Sequence, residues 1–283
     1  MAAAEESASP QERALAHLRT LAHGDPIDPA LRVTLHFHPD RLVSGMPILA
    51  AMARDQRYRS QFETGTSNGA LTAHPGGNRW QWESRIFAGA YDDATAAERP
   101  KYGSLNFRRR GIGGSPRFGS AYLRLTEETL TRTTFCYPDS VFEPTNFGLA
   151  ARSSRLIALA AADGRDALDN YVEAHVHGPI ELGPDVEALV LDPAYRDSEV
   201  AALASTLGCP VEWHSGFRLS IAELQRHPDY RGGEFVALGV ALARDAYLDA
   251  RIIGDAARTG RYDEQALKRV WHYVARFGTR ELL

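Results

Sequence analysis

The chain has 283 residues, of which 44% are hydrophobic and 24% are charged, and its formal net charge is −4. This length and balance allow one large domain with a packed core and exclude global disorder. No long basic block is present, so nothing indicates nonspecific nucleic-acid binding through a cationic face. The two cysteines, Cys136 and Cys209, are far apart and outside any CxxC pair. This excludes a disulfide framework and a structural zinc site built on cysteine.

The N-terminal residues and the hydropathy of the chain predict its compartment. Glu5 and Glu6 lie where a signal peptide would carry positive charge, and no stretch approaches the length of apolar chain that spans a bilayer. We therefore expect a cytoplasmic protein with no membrane partner. The predicted divisions are a disordered tail at 1–8 and a single compact domain at 9–283, with a core at 32–232 and a helical C-terminal part at 233–283.

The residue pattern predicts mixed helix and strand along the chain. Ser9 and Glu12 predict a capped helix start, because a serine cap is followed three residues later by glutamate. Ser44 is expected to cap a helix over 44–57 that has Pro47 in its first turn. The other predicted strands are 32–38, 101–107, 118–125, 131–137 and 171–177; the other predicted helices are 80–91, 150–162 and one between Asp263 and Gly278; 186–192 is expected to be helix or strand, and 194–283 mostly helical.

Two of the predicted strands carry an unusual polar face. Side chains alternate across a strand, so each of these strands has one apolar face for packing on a core. The opposite faces hold four of the ten histidines of the chain and a carboxylate. These polar faces consist of Thr34, His36 and His38 on the first strand, and of Tyr171, Glu173, His175 and His177 on the second.

These polar faces allow three interpretations. The histidines are incidental in two unrelated strands, or the strands are neighbours whose polar faces line one cleft. In the second case, a carboxylate beside histidines has its ionisation set by its neighbours, as active sites often require. Such a cleft suits a metal site, because HxH plus a carboxylate is plausible ligand spacing. It equally suits a nucleoside site, in which Glu173 binds a ribose hydroxyl and a histidine holds a second one.

A loop rich in small residues is a further candidate for ligand binding. The segment ETGTSNG offers unobstructed backbone N–H groups and the hydroxyls of Thr64 and Ser67 around Gly65, and it is either a cradle for a phosphate or carboxamide or simply a turn. It is not GxGxxG and follows no Rossmann pattern, which excludes a dinucleotide fold of that type. Tyr102 is expected to stack on a flat ring, unless it is an ordinary core aromatic.

Several motifs recur in order along residues 32–232, namely HFHPDR, YRSQFETGTSNG, RPKYGSLNF, RFGSAYLRL, RTTFCYPDS and YVEAHVHGPIEL. In these motifs the chain resembles an uncharacterised bacterial family, domain-of-unknown-function family 3626. More remotely, it is similar to the ADP-ribosyltransferase superfamily and to transferase-like domains of phage and bacterial toxins. That superfamily has a first strand with His or Arg, a middle strand with an aromatic residue or Ser, and a later strand with a catalytic Glu. Those positions correspond here to His38 or His36, to Tyr102 or Ser120, and to Glu173.

The remote resemblance implies a fold and an activity. The implied fold is α+β, with a split, mostly antiparallel pair of small sheets and helices at the N- and C-terminal ends. The implied activity is transfer of ADP-ribose from NAD to an acceptor, which is a protein side chain, a nucleic acid, a small molecule or water. No metal is expected. The chain departs from the superfamily pattern at Tyr171, where Glu or Gln is familiar, and at Pro39, where Gly is usual.

The resemblance also implies roles for individual residues. Glu173 is expected to bind the ribose 2′-hydroxyl and to stabilise positive charge that develops on the sugar. His38 is expected to position the adenosine-side ribose, and Tyr102 the nicotinamide half. The predicted catalytic residues are Glu173, His38 and Tyr102, and the predicted NAD-binding residues are His36, Thr64, Gly65, Ser67, Ser120 and His175.

Two other functions remain open from the sequence. The first is a metal-dependent hydrolase that uses His36, His38, Glu173 and His175. The second is a non-catalytic binding module or immunity-type partner protein. Metal content distinguishes the hydrolase from the transferase, and affinity for NAD distinguishes the transferase from the binding module.

Overall fold

A computed structural model describes residues 8–65 and 72–282 of the chain. In these residues, helices and strands are mixed along the chain, as the sequence pattern predicts. The strands are β1 (Val33–Phe37), β2 (Leu42–Val43), β3 (Met46–Pro47), β4 (Arg57–Tyr58), β5 (Lys101–Leu105), β6 (Ala121–Leu125), β7 (Thr133–Tyr137), β8 (Asn146–Leu149), β9 (Val172–Val176), β10 (Ile180–Glu181), β11 (Val186–Leu191), β12 (Val211–Trp213), β13 (Arg218–Ser220) and β14 (Tyr247–Asp249).

The helices lie before, between and after these strands. They are α1 (Pro10–Leu21), α2 (Ile48–Asp55), α3 (Gln61–Thr64), α4 (Asn78–Ile86), α5 (Ser154–Ala162), α6 (Leu182–Asp185), α7 (Glu199–Ala204), α8 (Ile221–Leu224), α9 (Gly233–Leu242), α10 (Ala250–Arg258) and α11 (Glu264–Phe277). Short 3₁₀ turns lie at Pro116–Phe118, Glu127–Arg132, Ser140–Phe142, Pro193–Tyr195 and Arg280–Leu282.

The main sheet has eight strands in the order β12–β11–β6–β1–β5–β9–β7–β8. Its neighbouring strands are antiparallel except for the parallel pair β11–β12. The α+β class and the antiparallel character are therefore confirmed. The expected pair of small sheets is wrong, because β5 pairs with β1 along one edge and with β9 along the other and so joins the two sides into one sheet.

The hypothesis that the two strands with histidines are direct neighbours is wrong. They lie on either side of β5. Gly103 permits the close approach of β5 to β1. A Cβ atom added at Gly103 would lie 2.5 Å from Leu35 Cδ2 and 2.6 Å from the backbone oxygen of Thr34. The register places Ser104 opposite both Thr34 and Glu173. Because directly opposite residues share a face, the polar faces of β1 and β9 lie on the same side of the sheet.

The apolar faces of β1 and β9 belong to one large buried cluster that also includes side chains of the C-terminal helices. Leu35 and Ala174 are fully buried in it. Burial of these faces, at roughly 25 cal/mol per Å² of apolar surface, fixes which side of each strand faces the core. The predicted alternation of both strands is confirmed, and it leaves the polar faces directed away from this core.

Helix starts follow the predicted capping residues in two cases. The Ser9 hydroxyl accepts the amide hydrogen of Glu12, and the Glu12 carboxylate accepts that of Ser9. The carboxylate of Asp263 accepts the amide hydrogen of Ala266 at the start of α11, and Gly278 follows the last residue of that helix. Both predictions are confirmed.

Other predicted elements differ from the structure. The predicted helix over 44–57 begins later, because Ser44 has φ 51° in the turn between β2 and β3, and Pro47 precedes the first residue of α2. The segment 194–283 is less helical than predicted, since β12, β13 and β14 interrupt it. Residues 1–7 of the predicted tail lie outside the described part. Among the residues described, none of the helices is long and apolar enough to cross a membrane.

Candidate functional site

A cavity of about 230 Å³ opens beside the polar faces of β1, β5 and β9. Its wall also includes residues of α2, α3, α4 and α11 and of the turn at Pro116–Phe118. The cavity lies where the sequence places its most unusual polar residues. Of the predicted site residues, His36, His38, Thr64, Tyr102 and Glu173 line it.

Glu173 lies on the cavity wall, although it is only 6% exposed. One carboxylate oxygen lies 3.0 Å from His175 Nε2, and the other accepts a hydrogen bond of 3.1 Å from the Ser140 hydroxyl. Burial raises the pKa of Glu173, but the contact with His175, through both hydrogen bonding and charge, then the nearby charge of Arg79 and the hydrogen bond from Ser140 lower it more, so that the pKa is below that of an ordinary glutamate. Glu173 is therefore an oriented, ionised carboxylate at neutral pH.

His175 lies behind Glu173 rather than on the cavity wall. Its side chain is fully buried, and its ring packs edge-on against Trp82, Phe87 and Tyr102. His175 therefore does not lie where it could contact NAD bound in the cavity, contrary to the prediction. The Nε2 atom of His175 contacts the carboxylate of Glu173.

His36 lines the cavity, but both of its ring nitrogens are already bonded. Nδ1 donates to the backbone oxygen of Gly119 at 3.1 Å, and Nε2 accepts from the backbone N–H of Ser115 at 3.3 Å. Burial lowers the pKa of His36 to about 3, against the opposing effect of the Gly119 contact. The ring is thus neutral and holds the turn at Pro116–Phe118 against β1.

His38 lies just after β1 and is half-buried on the cavity wall. Its ring packs edge-on against Trp271 with 5.2 Å between the centroids. Burial, followed by the charges of Arg41 and Lys268 among others, lowers the pKa of His38 to about 3. A neutral imidazole at this position can donate or accept a hydrogen bond with a ligand.

Tyr102 is tied to an ion pair that the sequence pattern did not predict. Its hydroxyl donates to Glu83 at 2.5 Å, and Arg99 donates to the other oxygen of Glu83 at 2.6 Å. The guanidinium of Arg79 lies 4.3 Å from the centroid of the Tyr102 ring. The signal that sequence reasoning missed is the spacing of Arg79 and Glu83, which places them four residues apart on α4, on one helix face.

The other predicted residues divide between the cavity wall and elsewhere. Thr64 lines the cavity, and its hydroxyl donates to the backbone oxygen of Ser60 at 3.2 Å. Gly65 ends α3 with φ 62° and is not among the residues that line the cavity. Ser67 lies outside the described residues. Ser120 is buried at the start of β6 and does not line the cavity either, so the structure does not bring it to the predicted site.

Basic side chains outnumber acidic ones around the cavity. Arg57 forms an ion pair of 2.7 Å with Glu63, and Arg59 forms one of 2.6 Å with Asp55. Lys268 is half-buried, and burial and the charges of Arg117 and Arg269 lower its pKa to about 8. This balance favours an anionic ligand. The basic lining residues are Arg41, Arg57, Arg59, Arg79, Lys101, Arg117 and Lys268, and the acidic ones are Asp55, Glu173 and Glu264.

A family model described as "Protein of unknown function (DUF3626)" matches residues 32–159 and 149–277. The chain belongs to the DUF3626 family. The resemblance to this family that the sequence motifs indicated is thereby confirmed, and the two matched segments contain β1, β5, β9 and α11, which surround the cavity. A comparison with curated proteins found no match.

Cys136, Glu173 and His175 are placed close enough to hold a metal ion in this DUF3626 chain. Their ligand atoms all lie within 4.8 Å of one another. This group, found among the described residues, does not include His36 or His38, so the four-ligand set of the predicted hydrolase is not assembled. Burial, then the charge of Glu173, raises the pKa of the Cys136 thiol well above its ordinary value. An ion bound here would have to displace that thiol proton.

Proposed function

We propose that the chain binds NAD and breaks the bond between nicotinamide and ribose, passing ADP-ribose to an acceptor or to water. The observation that carries the proposal is Glu173, a carboxylate held by hydrogen bonds from His175 and Ser140 on the wall of a cavity in which basic side chains outnumber acidic ones. Tyr102 and His38 lie on the same wall. They are the residues that the resemblance to ADP-ribosyltransferases assigns, from the sequence, to the aromatic and histidine positions.

In the proposed reaction, positive charge develops on the ribose as nicotinamide leaves. The two short hydrogen bonds of the Glu173 carboxylate, from His175 and from the Ser140 hydroxyl, use two of its roughly four acceptor positions. Cys136 Sγ at 4.0 Å and the Ser140 N–H at 3.5 Å are long contacts that a ligand hydroxyl can replace. A ribose 2′-hydroxyl donating to this carboxylate brings negative charge next to the sugar. Because the carboxylate is already oriented by His175 and Ser140, it does not need to reorganise in the transition state.

Size and charge support a division of NAD between the cavity and its mouth. Pockets for drug-sized ligands typically measure about 300–1,000 Å³, and this cavity measures about 230 Å³. We therefore propose that the nicotinamide-ribose half enters it, next to Glu173 and the Arg79 guanidinium stacked on Tyr102. Among the described residues, Arg79 and Lys268 line the cavity without an ion pair and are suited to the pyrophosphate, and the adenosine half then extends toward His38.

The test is release of nicotinamide from NAD by the wild type and by Glu173→Gln. The amide keeps the size of the side chain but not its charge, so turnover is expected to fall by a factor of about 10² to 10³. Glu264→Gln is a matched control, because Glu264 lines the same cavity and its contact with Arg41 is long, at 3.5 Å. Thermal melting shows whether each variant is folded.

The proposal fails if the wild type neither binds NAD nor releases nicotinamide. If the wild type turns NAD over and folded Glu173→Gln does so equally well, the role of Glu173 is wrong. Equal losses in Glu173→Gln and Glu264→Gln would also contradict a specific role for the Glu173 carboxylate. NAD itself should still bind to Glu173→Gln within a few-fold of wild type, because the charge acts mainly in the transition state.

A metal-dependent hydrolase is the second candidate, and the cluster of Cys136, Glu173 and His175 is the observation in its favour. Cys136 and His175 are fully buried and do not line the cavity. A catalytic metal keeps an open position for water or substrate, which this buried arrangement does not offer. Elemental analysis after incubation with Zn²⁺ tests the idea: one tightly bound ion per chain, lost in Cys136→Ala, would favour the hydrolase.

A further inference from the structure

We propose that Tyr91, His177, Thr134 and His175 form a buried, one-directional hydrogen-bond relay that ends on Glu173 and holds His175 in the tautomer with hydrogen on Nε2. These four residues are positioning residues, since they act on Glu173 and line no part of the cavity. The geometry of the relay stands independently of the activity, whereas its effect on turnover rests on the proposed function.

The relay consists of four consecutive contacts. Tyr91 Oη lies 2.7 Å from His177 Nδ1, and His177 Nε2 lies 3.0 Å from Thr134 Oγ1. Thr134 Oγ1 lies 3.1 Å from His175 Nδ1, and His175 Nε2 lies 3.0 Å from Glu173 Oε1. Tyr91, His177, Thr134 and His175 are all fully buried. Water therefore does not compete for these hydrogen bonds.

The strand register explains how the relay is assembled. His175 and His177 alternate on one face of β9, and Thr134 lies opposite His175 on the neighbouring strand β7. Its hydroxyl is therefore placed between the two imidazoles. Phe87 packs edge-on against both rings, and the Tyr91 ring lies nearly parallel to that of His177. Packing thus fixes the rings as well as the polar atoms.

The directions of the hydrogens follow from the inventory of donors. An ionised Glu173 only accepts, so His175 Nε2 must carry a hydrogen. In a neutral His175, Nδ1 then accepts, and the single hydrogen of the Thr134 hydroxyl points to it. The Thr134 oxygen is left to accept from His177 Nε2, and His177 Nδ1 accepts from the Tyr91 phenol. Each donor points toward Glu173, and every polar atom along the relay has a partner.

A reversed arrangement is possible only with a doubly protonated His175. Its Nδ1 would then donate to Thr134, Thr134 to His177, and His177 to Tyr91. The Tyr91 hydroxyl hydrogen would lose its acceptor in the relay. Burial lowers the pKa of His177 well below its ordinary value, so His177 is neutral in both arrangements, which differ in the number of hydrogens on His175 and in the acceptor left for the Tyr91 hydroxyl. Hydrogen bonds that all point one way also polarise one another, which strengthens the final contact with the carboxylate.

The direct test is ¹⁵N NMR of the imidazole nitrogens in the wild-type protein, with assignment through His175→Gln and His177→Gln. We expect both histidines to be neutral with hydrogen on Nε2. Hydrogen on Nδ1 of His175, or on both of its nitrogens, would overturn the relay. This measurement needs no substrate, so it decides the relay even if the chain proves not to release nicotinamide.

The second test interrupts the relay at its centre with Thr134→Val, which replaces the hydroxyl by a methyl group of similar size. We expect a mixture of tautomers at His175 and, if the proposed function holds, a fall of about tenfold in kcat with KM changed less than about twofold. Thr133→Val is the matched control: Thr133 is equally buried, and its hydroxyl donates to the backbone oxygen of Thr129 at 2.7 Å. Thr134→Ser should restore both the tautomer and kcat.

Tyr91→Phe covers the case in which Thr134→Val does not fold, because it removes only the first donor. A His177 tautomer mixture in this variant supports the relay. An unchanged ¹⁵N pattern in both Thr134→Val and Tyr91→Phe overturns it, as does a kcat loss that Thr133→Val shows equally.

Discussion

The Ser140 hydroxyl lies 3.1 Å from Glu173 Oε2, on the side of the carboxylate opposite to His175. Ser140 follows β7 in the chain, whereas Glu173 is the second residue of β9. The carboxylate is therefore fixed from two directions, by its own strand and by the turn after a neighbouring strand. Its rotation about the last side-chain bond is restrained before any ligand binds.

Ser140→Ala should lower nicotinamide release about tenfold, because a hydrogen bond to a charged group contributes roughly 1.5–3 kcal/mol and part of that orients the carboxylate. The measurement is kcat at neutral pH, with thermal melting of the same sample. Ser153→Ala is the matched control, since the buried Ser153 hydroxyl donates to the backbone oxygen of Leu149 at 2.6 Å, away from the cavity. A loss of activity in the control as large as that in Ser140→Ala would contradict the orienting role.

The pH dependence of activity should report the lowered pKa of Glu173. Only the carboxylate form is proposed to be active, so activity is lost as pH falls through the pKa of Glu173 in the folded protein. Because that pKa is below the ordinary value of about 4.3, the acid limb should lie below pH about 4.3. Ser140→Ala removes a contact that lowers the pKa and should move the limb to higher pH. A limb that stays in place, or moves to lower pH, would show that Ser140 does not stabilise the charged form.

His36 and His38 should differ in what their removal affects. His36→Ala leaves the Gly119 oxygen and the Ser115 N–H without their partner, so the free energy of unfolding should fall by about 2 kcal/mol. His38→Ala should weaken NAD binding about fivefold and change stability less. Denaturant unfolding and NAD titration of both variants make the comparison. The assignment of His38 as the ligand contact is wrong if His36→Ala, while folded, weakens binding more.

Gly103→Ala should destabilise the sheet between β1 and β5. The added methyl group would lie 2.5 Å from Leu35 Cδ2 and 2.6 Å from the Thr34 oxygen, and overpacking of this kind costs about 1–3 kcal/mol. Gly164→Ala is the control, because a Cβ added there meets nothing within 4 Å. Equal unfolding free energies for the two variants, measured in urea, would show that β1 and β5 accommodate the added methyl group without loss of stability.

Asp192 should make stability fall as pH rises. Burial, opposed by hydrogen bonds from the backbone of Ala194 and Phe217, raises the pKa of Asp192 to about 6. In the unfolded chain it is about 3.9. The folded protein therefore binds the proton more tightly, and this contribution is full below about pH 4 and lost as pH rises through about 6. The loss is on the order of 3 kcal/mol. Urea unfolding of wild type and Asp192→Asn between pH 4 and 7 checks this prediction. The unfolding free energy of wild type should fall relative to that of Asp192→Asn as pH rises, and a constant difference between the two would contradict the prediction.

The polar residues that β1 and β9 contribute to the cavity wall were predictable from local pattern. Alternation on two short strands placed Glu173, His36 and His38 on polar faces, and the structure puts all three at one cavity. Such alternation is a property of a few consecutive residues, so it survives any arrangement of the rest of the chain. The same pattern did not indicate that both ring nitrogens of His36 form hydrogen bonds with backbone groups of a distant turn.

Strand order and the supporting residues were not predictable in the same way. The insertion of β5 between β1 and β9 depends on pairing between distant segments and on the space left by Gly103. Thr134 looks like an ordinary strand threonine until the register places it opposite His175. Arg79 and Glu83 are on one face of a helix, but only the tertiary structure brings that face against Tyr102.

The central position of β5 has a consequence for how the protein folds. Thr34 and Ser104 meet across β1 and β5 although they are 70 residues apart in the chain, and Thr134 and His175 meet across β7 and β9 at a separation of 41. Pairings of this range close long loops and slow the search for the native state. Glu173 reaches the cavity wall only when β5 has paired with both β1 and β9, and a nascent chain in which β9 has not yet been synthesised has no carboxylate at the site. Binding competence should appear with the last, global folding step rather than before it.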